Sequence, residues 1–215
     1  MKPDLSKAAL IVVDMQNDFL KAGGFIARRP EFRQFVKSKQ PLVDRAIPNV
    51  MRLIQAARTS TIPVVFIREA FREDYADACF PYWRVPQCVK EKFVVEGTWG
   101  SQIIEELRPQ PGDMVVTKKG YGGFTNTPLN TYLRNLDVRT CIVTGVDTSI
   151  CVDTTVRQGT DLNYYMVVVS DATADSKKEH EAALSTLGNF FADVMMTDEL
   201  LRMIRSPKKR TSTRR

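Results

Sequence analysis

The sequence predicts a three-layer α/β/α domain around a six-stranded, mainly parallel sheet, on three observations. Its 215 residues are 43 % hydrophobic and 26 % charged, a globular composition in a chain of one-domain length. About 70 % of the extended chain's surface can be buried at this size, so no metal or disulfide staple is needed. Short apolar runs without polar alternation recur along the chain, as in parallel strands covered on both faces. Between them, apolar residues fall at helical spacing, and this β–α rhythm builds right-handed crossovers.

The first strand is expected over residues 8–14, ending in Asp14. Residues 21–40, with two glycines and several arginines, break the rhythm, as do residues 68–95 with Trp83, Pro81 and Pro86. Stretches of this length serve as lids or interaction surfaces. Ile47, Val50, Met51, Ile54 and Ala57 share one helical face, followed by a second strand over 63–67 and a third over 113–117. Thr127 then Pro128 reads as an N-cap with proline at the first helical position, opening a helix with Leu129, Leu133 and Leu136. The fourth strand spans 138–144, and the turn from Gly145 to Ser149 leads into a helix holding Val152, Thr155 and Val156. A fifth strand over 164–169 precedes a helix with Ala183, Leu184, Leu187 and Phe191, and the sixth spans 193–196. Thr173, after the fifth strand, either caps a turn or borders a site.

The net charge of +6 belongs to the end of the chain. From Arg202 onward there are seven basic residues and no acid, and the remainder holds 24 basic against 25 acidic residues. Residues 1–205 are therefore expected to form the domain, and 206–215 a solvated, disordered basic tail. No nucleic-acid partner is expected beyond nonspecific tail contacts. Four cysteines, no apolar leader after Met1 and no apolar run near ~20 residues point to a reducing, cytoplasmic setting without a membrane. The single histidine, His180, lies on the apolar face of its helix and reads as a packed residue. A multi-histidine metal site is impossible, and a catalytic base is expected to be a carboxylate or an amine.

Ligands in open α/β sheets bind beyond the carboxyl ends of the strands, where three side chains stand out. Asp14 ends the first strand, Lys118 follows the third and Cys151 follows the fourth. A carboxylate, an amine and a thiol can thus converge on one edge. A cysteine in the first turn of a helix feels the positive end of the dipole, which favours thiolate, whereas a free cysteine is commonly just a small buried hydrophobe. Together the three fill the role that missing histidines leave open: a base for the thiol, and a cation that holds the base ionised.

The segments Leu10-Ile-Val-Val-Asp14-Met-Gln-Asn-Asp-Phe19, Val116-Thr-Lys118-Lys-Gly-Tyr121-Gly-Gly-Phe124 and Thr144-Gly-Val-Asp147-Thr-Ser-Ile-Cys151-Val-Asp-Thr-Thr resemble the isochorismatase-like cysteine hydrolases, in order and over residues 7–204. The resemblance implies a Rossmann-like isochorismatase fold with Cys151 as nucleophile, Asp14 as general base and Lys118 orienting both. It implies a cis peptide between Val146 and Asp147, and an oxyanion hole made by the amides of Asp147 and Cys151. It further implies a cofactor-free amidohydrolase that forms a thioester or thiocarbamate, and a homo-oligomer. Residues 96–100, Phe124 onward and Arg157-Gln-Gly159 look most like the ureidoacrylate and biuret hydrolases, so a small carbamoyl or ureido substrate is expected. Phe19, Arg68, Trp83 and Tyr121, with Arg72, are candidates to contact it.

Two departures narrow the substrate. Nicotinamidases bind a metal through an Asp and histidines, but after Ile67 this chain reads Arg-Glu-Ala-Phe-Arg-Glu-Asp-Tyr, without histidine. Isochorismatases proper lack the nucleophile, so Cys151 favours C–N cleavage. Asp147 and Ser149 stand where relatives often have Ala and Asn. The alternatives are another amide specificity (an N-carbamoyl amino acid or a nicotinamide-like compound) on the same residues, or a non-catalytic scaffold acting through its tail. Removing residues 206–215 is expected to leave ammonia release from a ureide within a few-fold of the full chain, whereas a tail-driven scaffold would lose its partner.

Overall fold

The computed structural model describes residues 3–79 and 86–205. Among them, strands β1 (Ala8–Val13), β2 (Val64–Glu69), β3 (Met114–Lys118), β4 (Thr140–Val146), β5 (Tyr165–Ala174) and β6 (Asp193–Met195) form one sheet in the order β3-β2-β1-β4-β5-β6. Every neighbouring pair is parallel, so the expected six-stranded sheet is parallel throughout. Chain order reverses between β1 and β4, and the carboxyl ends there open the crevice that such sheets use for ligands.

The helices are α1 (Asn17–Leu20), α2 (Phe25–Arg28), α3 (Arg33–Thr59), α4 (Pro86–Lys90), α5 (Leu129–Asn135), α6 (Asp153–Asp161), α7 (Lys177–Phe190) and α8 (Thr197–Arg205). Every residue of β1 and β4 is buried, because both sheet faces are covered. On one face Leu10, Val12, Phe66 and Val167 pack against Val50 and Leu53 of α3 and Leu200 of α8. On the other, Ile11, Val13, Ile67 and Val143 pack against Leu133 of α5, Val156 of α6 and Leu187 of α7. The two-residue period of a strand sends neighbours to opposite cores, which gives the three layers.

Several elements differ from expectation for identifiable reasons. Residues 21–40 are not one irregular stretch, since they hold α2 and the start of α3. That helix continues through Pro41 and Pro48, each of which denies a donor to the carbonyl four residues earlier. Strand β5 runs five residues past the expected end at 169, to Ala174. Its polar Asp171 is buried but satisfied: Asn49 donates to it at 3.0 Å, and the Thr197 amide and hydroxyl donate at 2.8 and 2.7 Å. Thr173 therefore lies within the sheet, opposite Gly145, and does not cap a turn. Helix α5 begins at Leu129, and Thr127 Oγ1 accepts the Leu129 amide at 3.3 Å.

The described parts of 68–95 fold against α2 around Phe25, Phe71, Tyr75, Phe93, Val94 and Val95. The buried Tyr75 hydroxyl bonds to the carbonyls of Cys88 and Phe93 at 2.7 and 2.6 Å. Trp83 and the tail 206–215 lie outside the described residues. No helix among the described residues is long and apolar enough to cross a membrane.

Gly145 is the tightest point in the scaffold beneath the crevice. Its φ is +112°, and a Cβ there would stand 2.0 Å from the Val13 carbonyl oxygen on the adjacent strand. Gly145→Ala is expected to lower stability by at least ~3 kcal/mol, seen as a reduced urea midpoint or insoluble protein. A midpoint matching the parent's would contradict this packing.

Candidate active site

Each of three parallel strands delivers one polar side chain past its carboxyl end. β1 stops at Asp14, whose φ of +50° ends the strand in a conformation that Asp tolerates. β3 ends at Lys118, in register with Glu69 at the end of β2. β4 runs into the cis peptide Val146–Asp147 and a π-helical turn, Thr148–Val152, that carries Cys151.

The ammonium of Lys118 brings these groups together. Its Nζ stands 2.9 Å from Asp14 Oδ2, 3.0 Å from Glu69 Oε1, 2.8 Å from the Gly120 carbonyl and 3.6 Å from Cys151 Sγ. Its three protons go to Glu69, the Gly120 carbonyl and the Cys151 sulfur, while Asp14 is held as an ion pair, neither of its buried carboxylate oxygens having a hydrogen-bond partner among the described residues. The Cys151 thiol lies near enough to Asp14 for each to shift the other's ionisation. Asp14, Glu69, Lys118 and Cys151 are all buried.

Burial sets the proton distribution. It raises the pKa of Asp14, Lys118 pulls it back, and Glu69 raises it again, leaving Asp14 at about 7. Burial works to lower Lys118, but the Asp14 and Glu69 carboxylates outweigh it and the lysine stays charged. Burial also pushes the Cys151 thiol well above its usual range, with Lys118 opposing and both carboxylates adding to the rise. Desolvation thus opposes the thiolate that a helix dipole would favour. Cys151 sits in the π-helical turn ahead of α6, which starts only at Asp153, and desolvation dominates its ionisation. The resting group is a thiol, with a carboxylate in place to take its proton.

Backbone supports come from the polar run after Asp14. Gln16 Nε2 donates to the carbonyls of Glu69 and Ser101 at 2.7 and 2.9 Å, and its Oε1 accepts the Glu69 amide at 2.8 Å. Asp18 accepts the amides of Phe25 and Val94, each at 2.9 Å. The turn before Cys151 is tied down at three successive residues. Asp147 is ion-paired with Lys39, Thr148 Oγ1 meets His180 Nδ1 at 2.9 Å, and Ser149 donates to Asp175 Oδ2 through its amide and hydroxyl at 2.9 and 2.6 Å. His180 is a buried, hydrogen-bonded residue, as its place on the helix predicted.

The remaining candidates are dispersed. Half-buried Phe19 stacks edge-on against Phe93 with centroids 5.3 Å apart. Half-buried Tyr121 lies near Cys151, Glu69 and Cys79, with its hydroxyl pushed up to about 12 by burial first and by those groups next. Arg68 alternates with Glu69 and so leaves the strand on the opposite face. Its guanidinium is engaged by Glu96 and by Thr117 Oγ1. Arg72 is exposed and pairs with Asp74 at 2.8 Å. Among the described residues no group of three or more His, Cys, Asp or Glu side chains is arranged to hold a metal ion.

Sequence reading missed Glu69, Lys39 and the supporting role of Gln16. Glu69 had a usable signal, since it follows the apolar run of β2 two residues after Ile67 and so shares that residue's face. Lys39 had none, because its partner lies 108 positions away in the chain.

The Isochorismatase domain family profile matches residues 8–199. A ureidoacrylate amidohydrolase, RutB, of Pseudomonas syringae pv. syringae (strain B728a) is 35 % identical over 214 residues, covering 93 % of this chain and 83 % of that protein. A cysteine hydrolase from Pseudomonas syringae pv. phaseolicola 1448A superposes with a TM-score of 0.82 at 30 % identity, covering 95 % of each chain. An N-carbamoylsarcosine amidase from Thermoplasma acidophilum superposes with a TM-score of 0.71 at 29 % identity, over 89 % of this chain and 97 % of that one.

A reaction that needs ionised Asp14 is expected to accelerate as pH rises through about 7, because below that value the carboxyl already holds a proton. Glu69→Gln removes a negative charge that raises Asp14, so the acid limb of kcat/KM should move to lower pH. A limb that stays in place in this variant would show that Asp14 is not the titrating group.

Proposed function

From the premise that this chain belongs to the isochorismatase domain family, as a hydrolase of small amides, we propose that Cys151 is its nucleophile and that it cleaves a carbamoyl or ureido C–N bond. The observation that carries the reading is the buried cluster in which Lys118 Nζ lies 2.9 Å from Asp14 and 3.6 Å from Cys151. The mutual influence of Asp14 and the thiol on their ionisation adds to its support.

The mechanism uses the proton distribution of the resting site. Asp14 takes the thiol proton as Cys151 Sγ bonds to the substrate carbonyl carbon, so the anion need not exist beforehand in a site that disfavours it. Lys118 keeps its charge throughout and holds Asp14 and sulfur in mutual reach. The amides of Asp147 and Cys151 receive the developing oxyanion. Asp14 then returns its proton to the departing nitrogen as the C–N bond breaks, releasing ammonia or an amine and leaving an acyl- or carbamoyl-cysteine. Water, losing a proton to the same carboxylate, breaks the C–S bond and restores the thiol.

The ureide preference is supported by relatives named ureidoacrylate amidohydrolase and by the likeness to an N-carbamoylsarcosine amidase. Tyr121, near Cys151 and Glu69, is assigned as a wall of the substrate pocket, together with Phe19.

Cys151→Ala is expected to fold like the parent and to lose at least ~10⁴-fold in ammonia release. Turnover close to the parent's would exclude covalent catalysis by this residue. Across ureidoacrylate, biuret, N-carbamoyl amino acids and nicotinamide, ammonia release should be fastest from an open-chain ureide. Nicotinamide as the best substrate would overturn the proposed class.

A further inference from the structure

Lys39 is buried, an unusual environment for a lysine, and its ammonium reaches Asp147 from α3. The side-chain exposures of the pair are 4 % and 13 %, so little solvent screens it. The other two ties on this turn, from Thr148 and Ser149, are hydrogen bonds from hydroxyl or amide groups. Only the tie at Asp147 brings in a charge pair.

Asp147 is a peculiar residue to find there. Its own amide is one of the two donors assigned to the oxyanion, while its side chain carries a buried negative charge on the same residue. A carboxylate beside a developing oxyanion opposes the charge that the amide is meant to stabilise. The other charged groups near it do not help: Asp175 at the end of β5 and Glu69 at the end of β2 are both acidic, and His180 of α7 is engaged by Thr148. Lys39 is the cation that meets it.

Resting on the covalent mechanism above, we propose that Lys39 is a positioning residue for catalysis, neutralising Asp147 and fixing the oxyanion turn against α3. It touches no reacting atom and acts through Asp147 alone. In its absence the carboxylate is left buried without a counterion. At low pH it can take up a proton and become harmless, and at high pH it stays charged and opposes the oxyanion. Burial already raises the Asp147 pKa, with Lys39 opposing and Asp175 and Glu69 adding, so removing Lys39 moves this ionisation further toward working pH.

The test is the cycle Lys39→Met, Asp147→Ala and the double variant, with kcat and KM followed by ammonia release against pH. The substrate is whichever of ureidoacrylate, biuret and an N-carbamoyl amino acid the parent turns over fastest. Lys39→Met should lower kcat by roughly 10- to 100-fold with little change in KM. Its deficit should widen as pH rises, a dependence that simple loosening of the fold does not produce. Lys39→Arg, which keeps the charge, should recover part of the loss. In the Asp147→Ala background, Lys39→Met should change kcat by less than about threefold, because the group it serves is gone. This second arm decides the matter even where Lys39→Met alone yields no folded protein.

A folded Lys39→Met with the parent's kcat at every pH would overturn the proposal. So would an equal loss from Lys39→Met with and without Asp147. Cys151→Ala, measured alongside, separates the two readings. If it turns over like the parent, the covalent mechanism itself falls, whereas an inactive Cys151→Ala beside an unimpaired Lys39→Met sinks only the role of Lys39.

Discussion

One buried ammonium organises the crevice. Two carboxylates and a thiol in a desolvated site would repel one another and draw in protons, since each buried ion costs several kcal/mol unless it is paired. Lys118 offsets that cost by meeting both carboxylates within 3.0 Å and keeping its charge. It does not cancel the excess, because two acids face one base. Burial, which Lys118 opposes only in part, holds Asp14 at about 7 and, with the carboxylates adding to it, keeps the sulfur protonated. A proton acceptor near neutrality next to an unionised thiol is thus a product of desolvation that pairing offsets only in part.

The fold's contribution is to make this arrangement rigid. The parallel register that places Glu69 beside Lys118 is the register that buries Val65 and Ile67 beneath them, so the polar groups cannot slip without exposing the core. Gly145 lets β4 pass close over Val13 just before the turn that carries Cys151. Gln16 and Asp18 convert the segment after Asp14 into a clamp on the backbone of Glu69 and Val94. That clamp accounts for the run of polar residues after the first strand, which apolar periodicity leaves unexplained.

The charge on the turn before Cys151 follows a similar logic with a different partner. Where the turn meets α3 it carries Asp147, and α3 supplies Lys39. Buried pairs of this kind add little net stability against a well-packed apolar alternative, so their presence invites a role in geometry. The long helix therefore does more than cover one face of the sheet, because it also reaches the end of β4 from which the turn departs.

The parts that local chemistry governs were legible in the sequence. Apolar runs and helical spacing located all six strands and the covering helices α3, α5, α6 and α7, though not α8, because burial on two faces leaves a pattern within a few residues. Asp14, Lys118 and Cys151 stood out because each follows a strand run, and strand ends are where such sheets expose polar groups. The extent of β5 was not legible, since Asp171 looks like a terminator until Asn49 and Thr197 satisfy it from other elements. Glu69, Lys39 and the protonation state of Cys151 were decided only by the tertiary structure. A pKa depends on which charges lie within a few ångströms and on how much water is excluded, and neither quantity exists until segments far apart in the chain have packed together.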